Sequence, residues 1–509
     1  MGQGVVDEDQ EQLPDPGRVS VDPNAAIQLG PKRHATLIGE RRGRLRLSFG
    51  CCASRPSAFF DRGMRFFSLD ASGGCETLRA AGTAAVTSCL MSDHLLSEYI
   101  GSLLGSRRPG FALPGAFFSD ARVFAADLEL IFARHWLFLA SEPEIPEAGD
   151  YRTYQIGPYP IFIVRQDDGS LAAFHNTCRH RGSRILQQET GVVGAKIVCP
   201  YHRWTYDTAG KVIDCGPGGD VTLARGLQLK RVHLKNLAGL LFVCLADEPP
   251  EDFADLAAQM TPYLDPHALP RTRVAKQIDL IEHGNWKLTI ENNRECFHCG
   301  GHPELLSSLF HFLGDISEDA LSQEERSVYR RYEAARELSL ASWKRAGVPW
   351  ERIEVLHGRP TGFRAERLVL EGSGESMTAD TRVACTRLLG SLTERRLGTL
   401  HLHVQPNAWF HFLSDHILTF AVLPIDHQRT LVRTTWLVNA DAEEGKDYDV
   451  DNLTRVWMAT NSQDAQFVEE TQRGTASPEY VPGPLSATEF MVDMFHRWYD
   501  ERMRAGLKV

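Results

Sequence analysis

Residues 285–303 read Asn-Trp-Lys-Leu-Thr-Ile-Glu-Asn-Asn-Arg-Glu-Cys-Phe-His-Cys-Gly-Gly-His-Pro, and the interpretation of the chain starts from this stretch. If it is helical up to its glycine pair, Glu295 and His298 share one face and His302 follows one turn later. Two imidazoles and a carboxylate from elsewhere would form the two-histidine, one-carboxylate triad of ferrous sites. The alternative is that two histidines near a helix end are surface or capping residues.

A second pair of motifs upstream favours the metal interpretation. Cys178 and His180 are spaced C-x-H, and Cys199 and His202 are spaced C-x2-H. Two thiolates on one iron and two imidazoles on the other would hold a [2Fe-2S] cluster, with a higher reduction potential than an all-cysteine cluster. A structural Cys2His2 zinc site is the rival, although zinc fingers usually pair two cysteines and then two histidines.

Composition and charge argue against several classes of protein. The 509 residues are 24% charged and 43% hydrophobic, as in ordinary globular proteins. A net charge of -11 argues against a nucleic-acid partner. The sequence has no apolar run of about 18 residues, which argues against a membrane span. Eleven scattered cysteines do not resemble a disulfide framework, so we predict a reducing, cytoplasmic location.

Residues 1–90 differ in character from the rest of the chain. They combine an acidic start, a basic run and small-residue stretches without a sustained helical or strand period. We predict that they are disordered, or that they come from an over-extended start and that Met91 is the true beginning. The first residues fit neither a secretory signal nor a transit peptide.

From residue 91 onwards the pattern becomes regular. Helices are predicted over 92–104 and 120–136 from apolar spacings of three and four. Period-two segments then predict a compact antiparallel unit of about 110 residues, in which Asp167-Asp168-Gly169 marks a hairpin. Its strands are predicted at 161–164, 171–174, 196–198, 204–206, 212–213 and 240–245.

The second half of the chain mixes helices and strands. A charged helix is predicted within 317–346, and region 348–396 is predicted to form substrate-covering loops. A last long helix is predicted from Asp449 to about Arg473. Strand periodicity returns at 400–404, 409–412, 416–423 and 430–438.

Asp464 lies on an apolar stripe of that last helix. A buried carboxylate needs a cation or a metal as its partner, so we choose Asp464 as a metal ligand. A salt bridge to a core arginine is the alternative. Cys296 and Cys299 allow a different alternative, a closed zinc site that also uses the two histidines of the opening stretch. The stripe has spacings of three and four and consists of Leu453, Trp457, Thr460, Asp464, Phe467 and Thr471.

The motifs resemble those of Rieske non-haem iron oxygenase α subunits. The resemblance rests on residues 178–184, 285–306, 457–464 and 472–474 and covers nearly everything between about residues 95 and 500. It implies two cofactors, a Rieske-type [2Fe-2S] cluster and a mononuclear Fe(II). It assigns Cys178, His180, Cys199 and His202 to the cluster, and His298, His302 and Asp464 to the iron.

The resemblance also gives Glu295 a catalytic role, because it lies just before the first iron histidine. In this family an acid at this position links the cluster of one subunit to the mononuclear iron of its neighbour. A carboxylate that accepts hydrogen bonds from imidazole N–H groups on both sides would fix their tautomers and couple the two sites. A ring-shaped homo-oligomer, a trimer, is then part of the expected mechanism.

The fold that the resemblance implies is α+β. An antiparallel β Rieske [2Fe-2S] domain is expected at 135–250. A helix-grip-like catalytic domain, with a central antiparallel sheet and flanking helices, is expected at 251–509. Residues 91–134 are expected to form helices that pack on the catalytic domain.

The activity that the resemblance implies is monooxygenation of an N-methyl group of a quaternary amine. Glycine betaine, giving dimethylglycine and formaldehyde, is the expected substrate; proline betaine, choline, carnitine or an aromatic ring are alternatives. The chain has no flavin- or nicotinamide-binding fingerprint. Electrons are therefore expected from a separate NAD(P)H-dependent flavin/ferredoxin reductase component, with O2 as the oxidant.

Aromatic residues should surround the substrate, because a quaternary ammonium has no N–H to donate and is attracted to π faces. Aromatic residues that alternate along a strand nevertheless belong more often to the core. Two other classes of function stay open: an electron carrier, against which the second metal motif argues, and a zinc-stapled binding protein, which iron analysis would distinguish. The substrate candidates are Phe310, Trp409 and His411, with Phe312, Phe410 and Phe412 nearby.

Overall fold

The structure is a computed structural model that describes residues 38–39, 45–46, 95–310, 321–372 and 374–507. The chain divides into two units, Met1–Arg79 and Ala80–Val509. In the first unit, strands β1 (Ile38–Gly39) and β2 (Leu45–Arg46) pair in antiparallel fashion. The rest of residues 1–90, for which we predicted disorder or an over-extended start, lies outside the described residues.

The second unit opens with three helices: α1 (residues 95–105), α2 (Ala116–Ser119) and α3 (Ala121–Asp127). The side chain of Asp120 caps α3 by accepting a hydrogen bond from a backbone N–H two residues later. The predicted helix 120–136 is shorter in the structure. After α3 the chain makes one wide turn, Leu128–Phe132, and then enters a strand.

Ten strands follow and form two antiparallel sheets. The larger sheet has the order β3-β12-β11-β6-β5-β4-β7, and the smaller has the order β10-β9-β8. The six strands predicted in this region correspond to β5, β6, β8, β9, β10 and β12, whereas β3, β4, β7 and β11 were not predicted. The strands are β3 (Leu137–Ser141), β4 (Asp150–Ile156), β5 (Tyr159–Arg165), β6 (Leu171–His175), β7 (Thr190–Val192), β8 (Lys196–Val198), β9 (Thr205–Asp207), β10 (Val212–Asp214), β11 (Arg231–Leu237) and β12 (Leu240–Cys244).

The predicted hairpin joins β5 to β6. Gly169 adopts a φ of 82°, which glycine reaches without steric cost. The carboxylate of Asp168 accepts hydrogen bonds from the backbone N–H (2.9 Å) and the hydroxyl (2.6 Å) of Ser170. The local turn chemistry thus sets the register in which Arg165 lies opposite Leu171.

A second seven-stranded antiparallel sheet forms the centre of the C-terminal part. Its order is β13-β19-β18-β17-β16-β15-β14. Strands β16 to β19 confirm the four predicted segments. Region 348–396, predicted as substrate-covering loops, instead contributes β14 and β15 to the edge of this sheet. The strands are β13 (Thr272–Glu282), β14 (Ile353–Val355), β15 (Phe363–Leu368), β16 (Thr399–Val404), β17 (Ala408–Phe412), β18 (His416–Asp426) and β19 (Arg429–Asn439).

Helices flank this second sheet, and α8 contacts α5, α6 and β13. Asp449 caps α8 by accepting the N–H of Asn452 (2.8 Å), which confirms the predicted start of the last long helix. None of the helices in the described ranges is both long and apolar enough to cross a bilayer. The helices are α4 (Phe253–Leu264), α5 (Trp286–Asn292), α6 (Pro303–Leu306), α7 (Gln323–Ala346), α8 (Val450–Thr475) and α9 (Phe490–Leu507).

The two large sheets lie close together at β3 and β18, next to the turn between β16 and β17. The side-chain amide of Asn407 accepts the N–H of Phe138 (3.0 Å) and donates to the carbonyl of the same residue (2.9 Å). The ring of Phe138 packs edge-on against Phe410 at 4.7 Å. The architecture is the predicted α+β arrangement of an antiparallel β unit beside a sheet with flanking helices.

Candidate metal centres and active site

Two loops, one after β6 and one after β8, bring together the four predicted cluster ligands. The thiols of Cys178 and Cys199 lie against one another and are 4% and 1% exposed. The rings of His180 and His202 are 4.7 Å apart. His180 is exposed and His202 is half-buried. The cysteines therefore face the interior, and the histidines lie at the surface.

The backbone of these loops depends on unusual conformations. Gly182, with a φ of 75°, donates its N–H to the carbonyl of Cys178 (3.0 Å). Arg203 adopts a φ of 61° and donates its N–H to the carbonyl of Cys199 (3.0 Å). A third loop closes on them at Gly216, where a Cβ atom would lie 2.2 Å from the carbonyl oxygen of His202. Only glycine fits at position 216.

Two aromatic side chains that sequence analysis missed complete this centre. The hydroxyl of Tyr206 accepts the N–H of Arg179 (3.0 Å) and lies 3.2 Å from Sγ of Cys178. The ring of Trp204 stacks on His180 at 5.1 Å with an interplanar angle of 2°. The only sequence signal for either residue was its place in the predicted strand just after the second ligand loop.

The stretch 285–303 is not one continuous helix, contrary to the prediction. Asn285 caps α5 by accepting the N–H of Lys287 (3.1 Å), and α5 ends at Asn292. The chain then bends, and His298 begins a separate 3-10 turn, His298–Gly301. The physical reason is the run of poor helix formers at the end of α5, after which Glu295 turns back to accept the N–H of Phe297.

Despite this break, the structure brings the three predicted iron ligands together. Nε2 of His298 lies 3.3 Å from Oδ1 of Asp464, and Nε2 of His302 lies 3.4 Å from the same oxygen. His302 is fully buried, and neither its Nε2 nor Oδ1 of Asp464 makes a hydrogen bond. Buried polar atoms are rarely left unpaired, so two such atoms that converge with Nε2 of His298 fit a bound metal ion.

Glu295 lies behind this group of donor atoms. Its Oε1 accepts a hydrogen bond from Nδ1 of His298 (2.5 Å), which directs the lone pair of Nε2 towards Asp464. Burial lowers the pKa of His298, but the carboxylates of Asp464 and Glu295 raise it to about 9. The carboxylates therefore stabilise positive charge at the position where a metal cation would stand.

Cys296 and Cys299 are joined in a disulfide that encloses His298 in the sequence. The sequence analysis did not predict this pairing and considered the two residues only as thiolates of a closed zinc site. In the structure neither sulfur is a free thiol. The residues that converge at this centre are the two histidines and Asp464.

A cavity of about 90 Å³ adjoins the three ligands. Phe310 and His411, two of the predicted substrate residues, line it. Trp409 does not; it stacks on Phe420 at 4.7 Å in the core. Phe312 lies outside the described residues. The remaining lining includes Arg364, Glu366, Tyr332, His401 and Trp457.

Phe410 and Phe412, also considered as substrate residues, pack away from this cavity. Both are fully buried in a separate apolar cluster with Phe138 and Phe242. On strand β17 they alternate with Trp409 and His411, so they face the opposite side of the sheet. Three of the four aromatic residues on β17, Trp409, Phe410 and Phe412, thus pack in the core, and only His411 lines the cavity.

Comparison with known proteins agrees with both parts of the chain. Residues 135–222 match the Rieske [2Fe-2S] domain, and residues 269–505 match the ring hydroxylating alpha subunit (catalytic domain). A glycine betaine monooxygenase oxygenase subunit from Chromohalobacter salexigens is 44% identical over 80% of this chain and 88% of its own length. The corresponding subunit from Pseudomonas aeruginosa is 40% identical over 80% of this chain and 92% of its own length.

Solved structures share the fold at lower identity. A quaternary ammonium Rieske monooxygenase studied for carnitine oxidation superposes with a TM-score of 0.57 at 19% identity, covering 78% of this chain and 96% of the other. A naphthalene 1,2-dioxygenase variant gives 0.55 at 22% identity, covering 79% and 95%. Together with the closer relatives, these matches explain the pairing of a Cys2His2 centre with a two-histidine, one-carboxylate centre. This chain belongs to the Rieske non-haem iron oxygenase α subunits, which carry a [2Fe-2S] cluster and a mononuclear iron.

Proposed function

We propose that this protein is the terminal oxygenase component of a Rieske-type monooxygenase that hydroxylates an N-methyl group of glycine betaine. The products are dimethylglycine and formaldehyde. The observation that supports this most is the cavity beside His298, His302 and Asp464, which carries aromatic faces together with charges of both signs. The relatives that are 44% and 40% identical are named for the same substrate.

We assign His298, His302 and Asp464 as the ligands of the mononuclear iron. Iron held here supplies the activation of dioxygen beside the substrate. The three side chains orient two imidazole lone pairs and one carboxylate towards a common point and leave the cavity side open. A salt bridge of Asp464 to a core arginine is the weaker alternative, because within the described part of the chain Asp464 pairs with the two imidazoles.

We assign Cys178 and Cys199 to one iron of the cluster and His180 and His202 to the other. The buried thiols and the surface imidazoles support this order. A structural zinc ion has no need of ligands at the surface. A cluster that exchanges electrons with another protein does, because imidazole ligands at the surface shorten the distance to that protein.

Glu295 completes the proposal as the link between the two centres. One carboxylate oxygen already accepts a hydrogen bond from His298. In an oligomer, the carboxylate would accept a further one from a cluster histidine of the neighbouring copy, besides those from His298 and from the backbone N–H of Phe297. We propose a homotrimer, a separate NAD(P)H-dependent reductase component and a cytoplasmic location. The division at residues 91–134, 135–250 and 251–509 is part of the same proposal.

The cavity matches a small zwitterion. Phe310, Tyr332 and Trp457 offer π faces for the methylated ammonium group. The Arg364 guanidinium lies 2.5 Å from the Glu366 carboxylate, so one wall presents both signs of charge. The ammonium group of a betaine would face the acid and the aromatic rings, and its carboxylate would face the guanidinium. A volume of about 90 Å³, the liquid-phase share of roughly three water molecules, favours a compact substrate over a large ring system.

The experiment that tests this function combines metal analysis with a substrate panel. Purified protein should contain iron and acid-labile sulfide and show a Rieske-type EPR signal. With a reductase and NADH, formaldehyde release should be compared for glycine betaine, proline betaine, choline, carnitine and an aromatic ring substrate. The kcat/KM should be highest for glycine betaine. Asp464→Ala should retain the EPR signal and lose formaldehyde release.

Two results would contradict the proposal. Protein that stays colourless and iron-free after anaerobic reconstitution would exclude the oxygenase assignment. A ring-hydroxylated product without formaldehyde from any betaine would exclude N-demethylation. A higher kcat/KM for carnitine would change the proposed substrate but keep the proposed N-demethylation. Carnitine is the alternative because a carnitine monooxygenase oxygenase subunit from Escherichia coli is 30% identical over 43% of this chain.

A further inference from the structure

The disulfide between Cys296 and Cys299 lies at the active-site cavity. Both cysteines line this cavity, so a small oxidant or reductant that enters it reaches the bond. Cys296 is half-buried, whereas Cys299 is 2% exposed. The free cysteines of the described residues, all buried, are Cys178, Cys199, Cys215, Cys244 and Cys385.

Cys299 also belongs to a potential metal-binding group. Donor atoms of His298, Cys299 and His302 all lie within 4.8 Å of one another. As a free thiolate, Cys299 would add a soft donor to two imidazoles, and this donor set favours zinc. In the disulfide, its sulfur is not a thiolate. The site then offers two imidazoles and the Asp464 carboxylate, which is the set expected for ferrous iron.

We propose that Cys296 and Cys299 form a reversible redox pair that determines which metal the site accepts. In the disulfide state the metal ligands are the two histidines and Asp464, which favour iron. In the dithiol state Cys299 can bind zinc together with the two histidines. Disulfides in reducing compartments are usually transient and regulatory, which agrees with a pair beside a redox centre. The inference rests on the proposed iron site.

Hydrogen peroxide is the oxidant for this pair. The more exposed Cys296 thiol attacks peroxide, the O–O bond breaks, and a sulfenic acid and one water form. The thiol of Cys299 then attacks the sulfenic sulfur, the S–S bond forms and a second water leaves. The two thiols lose two electrons and two protons in total. A dithiol reductant reverses the change by exchange and becomes a disulfide itself.

Differential alkylation of the intact holoenzyme tests the redox step without reference to turnover. After treatment with a dithiol reductant, the peptide with Cys296 and Cys299 should take up two alkyl groups, and after peroxide it should take up none. Cys215, Cys244 and Cys385 serve as internal controls whose alkylation after denaturation should not change. Two alkyl groups in both conditions, or none in both, would overturn the proposal.

Zinc binding by two matched variants tests the metal step. Cys296→Ser and Cys299→Ser both remove the disulfide, but only the first keeps the Cys299 thiol. After a chelator has emptied the mononuclear site and the Rieske EPR signal has verified an intact cluster, calorimetry should give a zinc Kd about tenfold or more lower for Cys296→Ser. The wild-type dithiol should bind zinc tighter than the wild-type disulfide by a similar factor.

Equal zinc affinity in the two variants and in the two wild-type states would overturn the role of Cys299. This failure is distinguishable from failure of the proposed function. Alkylation and zinc affinity are measured without substrate, whereas the function is measured as formaldehyde release. A protein that demethylates glycine betaine and yet shows no zinc difference would keep its function and lose this inference.

Discussion

Single hydrogen bonds at each metal centre determine how its ligands are held. At the iron site, the Glu295 carboxylate accepts the Nδ1 proton of His298 at 2.5 Å and so selects the tautomer that presents Nε2 to the metal. At the cluster, the Tyr206 hydroxyl lies 3.2 Å from a ligand sulfur. Substitution of Glu295 should therefore affect the iron site, and substitution of Tyr206 should affect the cluster.

Glu295→Gln should separate metal binding from turnover. The amide oxygen can still accept from His298, so we expect full occupancy of both metal sites. The amide cannot carry the negative charge that couples two imidazoles, so we expect steady-state formaldehyde release to fall by about 100-fold or more. Metal analysis and NADH-driven turnover check this result. Glu470→Gln, an exposed acid on α8, is the control and should remain active. Wild-type turnover in Glu295→Gln would remove this residue from the electron path.

Tyr206→Phe should lower the reduction potential of the cluster. A hydrogen bond to a ligand sulfur stabilises the more negative, reduced cluster. If this bond contributes roughly 1 kcal/mol, the potential should fall by about 40 mV. A redox titration followed by EPR measures the shift. The exposed Tyr201, changed to Phe, provides a comparison in the ligand loop just before β9. An unchanged midpoint in Tyr206→Phe would show that the hydroxyl does not donate to the sulfur.

Helix α5 positions the iron-binding stretch, and a buried charge cluster holds α5 in place. The carboxylate of Asp127 accepts hydrogen bonds from Lys287, from the indole of Trp286 (3.0 Å) and from the hydroxyl of Tyr499 (2.5 Å). The side chains of Asp127 and Lys287 are both fully buried. Burial lowers the pKa of Lys287 despite its partner. Helices α3, α5 and α9 are thereby tied together at the start of the stretch that carries the iron-ligand histidines.

Asp127→Asn should destabilise the fold strongly. The substitution leaves the Lys287 ammonium group buried without a counter-charge, which typically costs about 3–5 kcal/mol. Urea unfolding gives the change in free energy. Arg473→Ala, which removes an exposed ion pair on α8, should cost less than about 1 kcal/mol. The double change Asp127→Asn with Lys287→Met should recover part of the loss. Similar free-energy changes for Asp127→Asn and Arg473→Ala would contradict this account.

The parts of the fold that sequence analysis predicted are those with strong local signals. Strands β16 to β19 show clear alternation, and Asp449 is a strong helix cap, so both were predicted correctly. Strand β15 was missed because its alternation places buried arginines, Arg364 and Arg367, where an apolar residue would be expected. Arg364 pairs with Glu354 on the neighbouring strand β14, and Arg367 donates to the carbonyls of Pro349 and Leu397; these partners cannot be identified from local sequence.

The candidate site shows the same division between local and distant information. Spacing alone suggested His298, His302 and the two cluster loops. The disulfide and the break after α5 depend on how Glu295 and the loop turn in space, which spacing does not fix. Trp409 was chosen by residue type, and only packing against Phe420 shows that it faces the core.

At the scale of the whole molecule, the proposed mechanism requires electron transfer between copies of the chain. The cluster histidines lie at the surface, and Glu295 is held beside the iron ligands. A network in which Arg433 contacts Glu189 (2.5 Å) and Asp279 (2.6 Å) fixes the Rieske unit on the second sheet. In the proposed oligomer, a cluster held in this way would present its histidines to a neighbouring copy in a fixed orientation.

Mixed oligomers should reveal this transfer. Cys178→Ser removes the cluster, and Asp464→Ala removes the iron, so each variant alone should be inactive. When the two are co-expressed in equal amounts, random assembly places an intact cluster beside an intact iron at about a quarter of contacts. Formaldehyde release should recover to about that fraction of wild type. Mixed oligomers, isolated through two different tags, that remain inactive would show that transfer stays within one chain.

The surface position of His180 and His202 also bears on mixtures of intact and damaged subunits. If electrons pass between copies as proposed, a mutation that removes only the cluster would silence one neighbouring iron and leave its own iron supplied, so the loss of activity would equal its share of the subunits. A mutation that removes both centres would also idle the intact centres of its neighbours, and the loss would exceed that share.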